Sequence, residues 1–110
     1  MGAKVRHGMN RTEERYADHL ALLKAAGRIA NYWYESLKFR LADRTWYAPD
    51  FLVMLPDGSL ELHEVKGYME EDAAVKLKVV SELYWAFPLR LVREAKGGTW
   101  NVTDVSEGLG

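Results

Sequence analysis

The stretch WYAPDFLVMLPDGSLELHEVKG, Trp46–Gly67, decides the fold. Two apolar-alternating runs flank Leu55-Pro56-Asp57-Gly58-Ser59. Pro-Asp-Gly between such runs predicts a hairpin with a three-residue loop: a type I turn with Gly58 in the left-handed region. The loop sets the register. With Leu55 facing Ser59, opposed residue numbers sum to 114, so Asp50 lies opposite Glu64. Lys66, two residues beyond Glu64, points to the same face.

Two carboxylates opposed on a hairpin carry a cost, because directly facing like charges destabilise a sheet. The same face holds Leu52, Met54, Leu60 and Leu62, which predicts that it is buried. Buried acids need compensation. Two readings supply it. A divalent cation is one: Mg²⁺ takes hard oxygen ligands and is usually held by one or two carboxylates. A salt bridge from Lys66 to one acid at the sheet end is the other. The pattern by itself does not separate them.

Upstream, Asn10-Arg11-Thr12-Glu13 opens a helix, with Asn10 as N-cap and Glu13 at the third helical position. Tyr16, Leu20 and Leu23 form its apolar stripe, and Glu13 shares their face. Capping explains the residue type of Glu13 but does not require an acid on that stripe. Ala26-Gly27 ends the helix. Ile29–Leu41 is predicted as the first strand, with Trp33, Glu35, Leu37, Phe39 and Leu41 on one side. Glu35 is read as a residue of a wet strand end rather than of the site. Asp43-Arg44 turns the chain into the Trp46–Met54 strand.

Downstream, Gly67 ends the third strand, and Glu70, Glu71 and Asp72 enrich the first turn of a second helix. Leu77, Val80 and Tyr84 recur at helical spacing, as do Val75 and Val79. Phe87-Pro88 closes the helix, Leu89–Val92 is a strand, Gly97-Gly98 turns, and Thr99–Val102 adds a small edge strand. The order is helix, three-strand antiparallel meander, helix, strand. This is an α/β domain with a mixed sheet flanked by helices, the last major strand parallel to one of the others. Residues 1–9 are expected to be a flexible arm, 10–105 a single domain and 106–110 a loose tail.

A length of 110 residues supports one small core. There are no cysteines, which excludes disulfides and thiolate metal sites. Neither a signal peptide nor a membrane-spanning apolar run is visible, so an intracellular, cytoplasmic protein is the expectation. A net charge of −1 argues against a general nucleic-acid coating protein. It leaves room for an enzyme that meets DNA through a local basic patch and offsets its acids with metal ions. Lys76 and Lys78, near the start of the second helix, and Arg11 are the candidate phosphate contacts.

Pro49-Asp50 followed after a hairpin by Glu64-Val65-Lys66 resembles the signature of the PD-(D/E)xK nuclease superfamily. Together with Asn10-Arg11-Thr12-Glu13, Ala26-Gly27, Tyr47-Ala48-Pro49-Asp50-Phe51 and His63-Glu64-Val65-Lys66-Gly67, it is similar to a small phage-type endonuclease family related to Holliday-junction resolvases. The resemblance spans Met9–Arg93 and implies a restriction-endonuclease-like core and hydrolysis of DNA phosphodiesters, branched DNA included. It implies Mg²⁺ as cofactor, with Mn²⁺ able to substitute, and a bacterial host's cytoplasm if the chain is phage-encoded. Asp50, Glu64 and the backbone carbonyl of Val65 would hold the metal. Lys66 would orient or activate the attacking water, and Glu13 would serve as an outer-shell or second-metal ligand. The near-neutral charge departs from what a resolvase leads one to expect. A junction resolvase would also need a symmetric dimer. Trp33, Tyr34, Trp85 and Trp100 could form its interface, although such aromatics are more often core. The alternatives are a catalytically silent DNA- or protein-binding module of the same fold, and a structural domain in which Asp50, Glu64 and Lys66 form only an ion-pair cluster.

Overall fold

The computed structural model describes residues 8–67 and 71–107. Its centre is the expected hairpin, β4 (Phe51–Met54) and β5 (Leu60–Val65). Leu55 N–H donates to the Ser59 carbonyl at 2.8 Å and Gly58 N–H to that of Leu55 at 2.9 Å. Gly58 has φ of +89°, the left-handed conformation that the turn demands of it. Phe51 pairs with His63 and Leu52 with Leu62, the anticipated register.

Helix α1 (Arg11–Ala25) begins at the Asn10 cap with both reciprocal bonds of a capping box, and Gly27 follows its end at φ +75°. The predicted first strand, however, is broken. It divides into β1 (Asn31–Tyr34) and β2 (Phe39–Ala42), separated at Glu35, whose φ is +47°. A left-handed residue ends the period-two alternation. Before the break Tyr32 and Tyr34 pack inward and Trp33 is exposed; after it Phe39 is buried and Leu37 and Leu41 pack with it. The predicted Trp46–Met54 strand is likewise two, β3 (Thr45–Tyr47) and β4, interrupted by Ala48-Pro49-Asp50. Pro49 has no N–H to give a ladder.

The three-strand meander is therefore corrected. The main sheet runs β1-β4-β5-β6-β7, with β6 (Leu89–Glu94) and β7 (Trp100–Asp104), while β2 and β3 pair as a separate hairpin inserted between β1 and β4. The crossover through α2 (Glu71–Leu83) makes β5 and β6 parallel, with Leu62 beside Leu89. The rest of the sheet is antiparallel, and β7 is the anticipated edge strand.

Both faces of this sheet are covered, which is why Phe51, Val53 and Leu62 are fully buried in adjacent strands. Tyr16, Ala17 and Leu20 of α1 pack on Phe51, Val53, Val65 and Val92. Leu77 and Val80 of α2, with Phe39 and Tyr47 of the inserted hairpin, pack on Leu62, Leu89 and Leu91. Val75 is exposed and Val79 half-buried, so the second apolar spacing on α2 is not a core face. Under α1 runs a polar chain: Tyr16 Oη to His63 Nδ1 at 2.7 Å, His63 Nε2 to Glu61 at 3.0 Å, and Arg90 bridging Glu61 and Asp104. Glu61 accepts from Nε2–H, since a carboxylate oxygen can only accept.

Met9, assigned to the arm, is buried in the core; residues 1–7 of that arm lie outside the described residues, as do Glu70 and the last three of the tail. Val105–Glu107 form a 3-10 turn with Val105 buried. Among the described residues no helix is long and apolar enough to cross a membrane.

Candidate functional site

The exit of β5 carries Glu64, Val65 and Lys66, and Asp50 stands just before β4 begins. Two backbone contacts fix Asp50. Its carbonyl accepts the Glu35 N–H at 2.9 Å, and its carboxylate Oδ2 accepts the Val65 N–H at 2.8 Å. The Glu35 N–H bond continues the β1–β4 register by one rung and holds residue 50, and Glu35 itself is exposed, at a wet end. Glu64 is held by its side chain. Tyr47 Oη donates to Oε1 at 2.5 Å, and Lys66 Nζ lies 3.2 Å from Oε2.

Asp50 and Glu64 are 9% and 6% exposed, values that place both carboxylates inside the protein. Burial pushes the Asp50 carboxyl well above the usual carboxylate range. The charge of Glu64 adds to the rise, the Val65 N–H opposes it, and Glu13 adds further by charge and hydrogen bonding. The Lys66 ion pair goes to Glu64, and among the described residues no ion pair reaches Asp50. Tyr47 is pushed far up by burial and then by Glu64, so it stays a protonated donor.

Glu13 belongs to both of its readings. Its Oε1 accepts the Asn10 N–H at 3.0 Å, completing the cap, and also the Tyr34 hydroxyl at 3.0 Å. Its influence on Asp50 places it at the same end of the sheet. The structure thus gathers Glu13, Asp50, Glu64, Val65 and Lys66. It divides the basic candidates. A cavity of about 240 Å³ opens beside Glu64 and Lys66, walled also by Tyr47 and Lys76. Lys78, about 200° further round the helix, is not in its wall. Arg11 is an exposed residue at the start of α1. The large aromatics divide too: Tyr34 and Trp100 pack against the core, whereas Trp33 and Trp85 are exposed.

Tyr47 and Tyr34, which orient Glu64 and Glu13, were not among the sequence-derived site residues. Tyr34 lies on the side opposite the expected apolar set, and Tyr47 carries no polar partner within a few residues, so neither has a signal that spacing could supply.

The donor set suits a hard cation. Two buried carboxylates supply oxygen donors, only Glu64 being in an ion pair among the described residues, and the Val65 carbonyl belongs to the same stretch. Among the described residues no three ligating side chains stand close enough to hold an ion by themselves. The neighbouring cavity, with two lysines in its wall, suits an anionic group. Comparison with protein-family models, with curated proteins and with solved structures returned no match to this chain.

Proposed function

We propose that this protein is a metal-dependent endodeoxyribonuclease that hydrolyses phosphodiester bonds in DNA, branched DNA included. The observation that carries this reading is Asp50: a buried carboxylate beside Glu64, held by backbone contacts and, among the described residues, in no ion pair, while Lys66 pairs with Glu64. A purely structural ion-pair cluster would have used Lys66 to neutralise both acids. Here the fold keeps the two acids buried together, with Glu64 in the wall of a cavity.

Asp50, Glu64 and the Val65 carbonyl would hold Mg²⁺, with Glu13 in an outer position. When bound, such an ion supplies positive charge against the phosphate and lowers the pKa of water. The chain's own residues do the rest. Tyr47 fixes the rotamer of Glu64 through Oε1, leaving Oε2 toward Lys66. The Lys66 ammonium stabilises negative charge on the attacking water and on the phosphoryl oxygens. Lys76, in the cavity wall, meets the phosphate as a point charge. Leu77 adds a buried apolar side chain to the same cavity wall.

The test is a cleavage panel of labelled duplex, single-stranded, flap and four-way DNA with Mg²⁺, using wild type, Asp50→Asn and Lys66→Ala. Cleavage by wild type and its loss in both variants supports the reading. Full activity of folded Asp50→Asn excludes the site, and binding without cleavage in every arm favours the silent module.

A further inference from the structure

We infer that the outer face of the β2–β3 hairpin is a stacking platform for an unpaired segment of the DNA substrate, with Trp46 as its base-binding ring. The inner face of the hairpin is committed to the fold. Phe39 and Tyr47 are buried, Phe39 packs on Tyr84 and Phe87, and the Tyr84 hydroxyl donates to the Arg40 carbonyl at 2.5 Å. Strand alternation then turns Lys38, Arg40 and Trp46 outward, and all three are exposed. Trp46 retains 44% exposure, Arg40 is its cross-strand partner, and Lys38 Nζ lies 5.3 Å from its ring centre. Arg44 adds a further exposed cation at the turn.

The charge is concentrated here. Lys38, Arg40 and Arg44 against Asp43 give +2 for Lys38–Tyr47, so the rest of the chain carries −3 of the total −1. The Arg40–Asp43 contact is long, 3.9 Å, and exposed, so Arg40 keeps most of its capacity for phosphate. An exposed indole flanked by cations is the arrangement that holds single strands: the ring stacks on a base while the cations follow the backbone. A paired base has no free face to offer, which is why the ligand is an unpaired segment. Position ties the platform to the site, because the next residue, Tyr47, is the one bonded to Glu64. The choice of DNA rests on the nuclease reading; the stacking geometry does not.

The experiment measures binding, not cleavage. A fluorescein-labelled oligothymidine and a blunt duplex of equal length are titrated with protein in Ca²⁺ by fluorescence anisotropy. Wild type should bind the single strand more tightly than the duplex. Trp46→Ala should weaken single-strand binding roughly fivefold to a hundredfold, with little effect on the duplex and an unchanged melting temperature. Trp46→Phe should recover most of the loss. Lys38→Ala/Arg40→Ala should lower the slope of log affinity against log salt by about 1.4 for the single strand. Unchanged single-strand binding by Trp46→Ala overturns the platform, as does failure of wild type to bind the oligothymidine. If wild type cleaves DNA while Trp46→Ala binds normally, the platform falls and the nuclease stands. If Trp46 governs binding but Mg²⁺ never yields cleavage, the platform stands and the nuclease falls.

Discussion

Replacing Asp50 by Asn should stabilise the metal-free protein while abolishing its chemistry. Asn keeps the shape of the side chain, and its carbonyl oxygen can still accept the Val65 N–H that Asp50 accepts at 2.8 Å. What it removes is a buried negative charge facing Glu64. Two unit charges about 5 Å apart repel by about 3 kcal/mol at an effective dielectric of roughly 20. Lys66 already offsets part of the Glu64 field at 3.2 Å. A net gain of about 1–2 kcal/mol remains, which for a domain of this size is a rise in Tm of about 4–12 °C. The gain depends on pH. The Asp50 carboxyl is raised in the folded state by burial and by Glu64, so the stability linked to its proton is present at low pH. That stability is lost as pH climbs from the ordinary carboxylate range through the raised value, by up to about 1.4 kcal/mol per pH unit. At about pH 4 wild type and variant should therefore melt together, and at pH 8 in EDTA the variant should melt higher. The assay is circular-dichroism melting across pH, with and without EDTA. A variant that melts below wild type at pH 8 in EDTA would refute the argument that Asp50 is held against its electrostatic preference.

Three further outcomes follow from the same geometry. Lys66→Ala removes the ammonium beside Glu64 and should lower the cleavage rate by about 10²–10³ while leaving Mg²⁺ binding in place, measured by single-turnover kinetics. Tyr16→Phe leaves buried His63 Nδ1 without its partner and should cost about 1–3 kcal/mol in urea unfolding, with no loss of cleavage per folded molecule. EDTA should stop cleavage, Mn²⁺ should restore it, and Ca²⁺ should support DNA binding without turnover, as read from gel assays.

Local chemistry was legible wherever it was strong. Asn10 with Glu13, Ala26-Gly27 and Pro56-Asp57-Gly58 each specify their turn or cap through hydrogen bonds within a few residues, and each forms as read. The hairpin register followed from the loop, and its last paired rung, Phe51 with His63, stands next to Asp50 and Glu64. What misled was alternation read as continuity. Trp33 to Leu41 alternates in sequence, yet Glu35 turns left-handed and reverses the phase. The interruption at Ala48-Pro49-Asp50 had a signal in Pro49, outweighed by the apolar pattern on either side. Tyr47 and Tyr34 were hidden because a tyrosine's hydroxyl partner depends on tertiary placement that no spacing encodes.

Calcium binding measured by isothermal titration tests the central claim most directly, since it reports the ion at the carboxylate pair without DNA or turnover. Wild type should show a saturable site that is lost in both Asp50→Asn and Glu64→Gln and kept in Lys66→Ala. Identical binding heats in wild type and Asp50→Asn, or none in wild type, would contradict it.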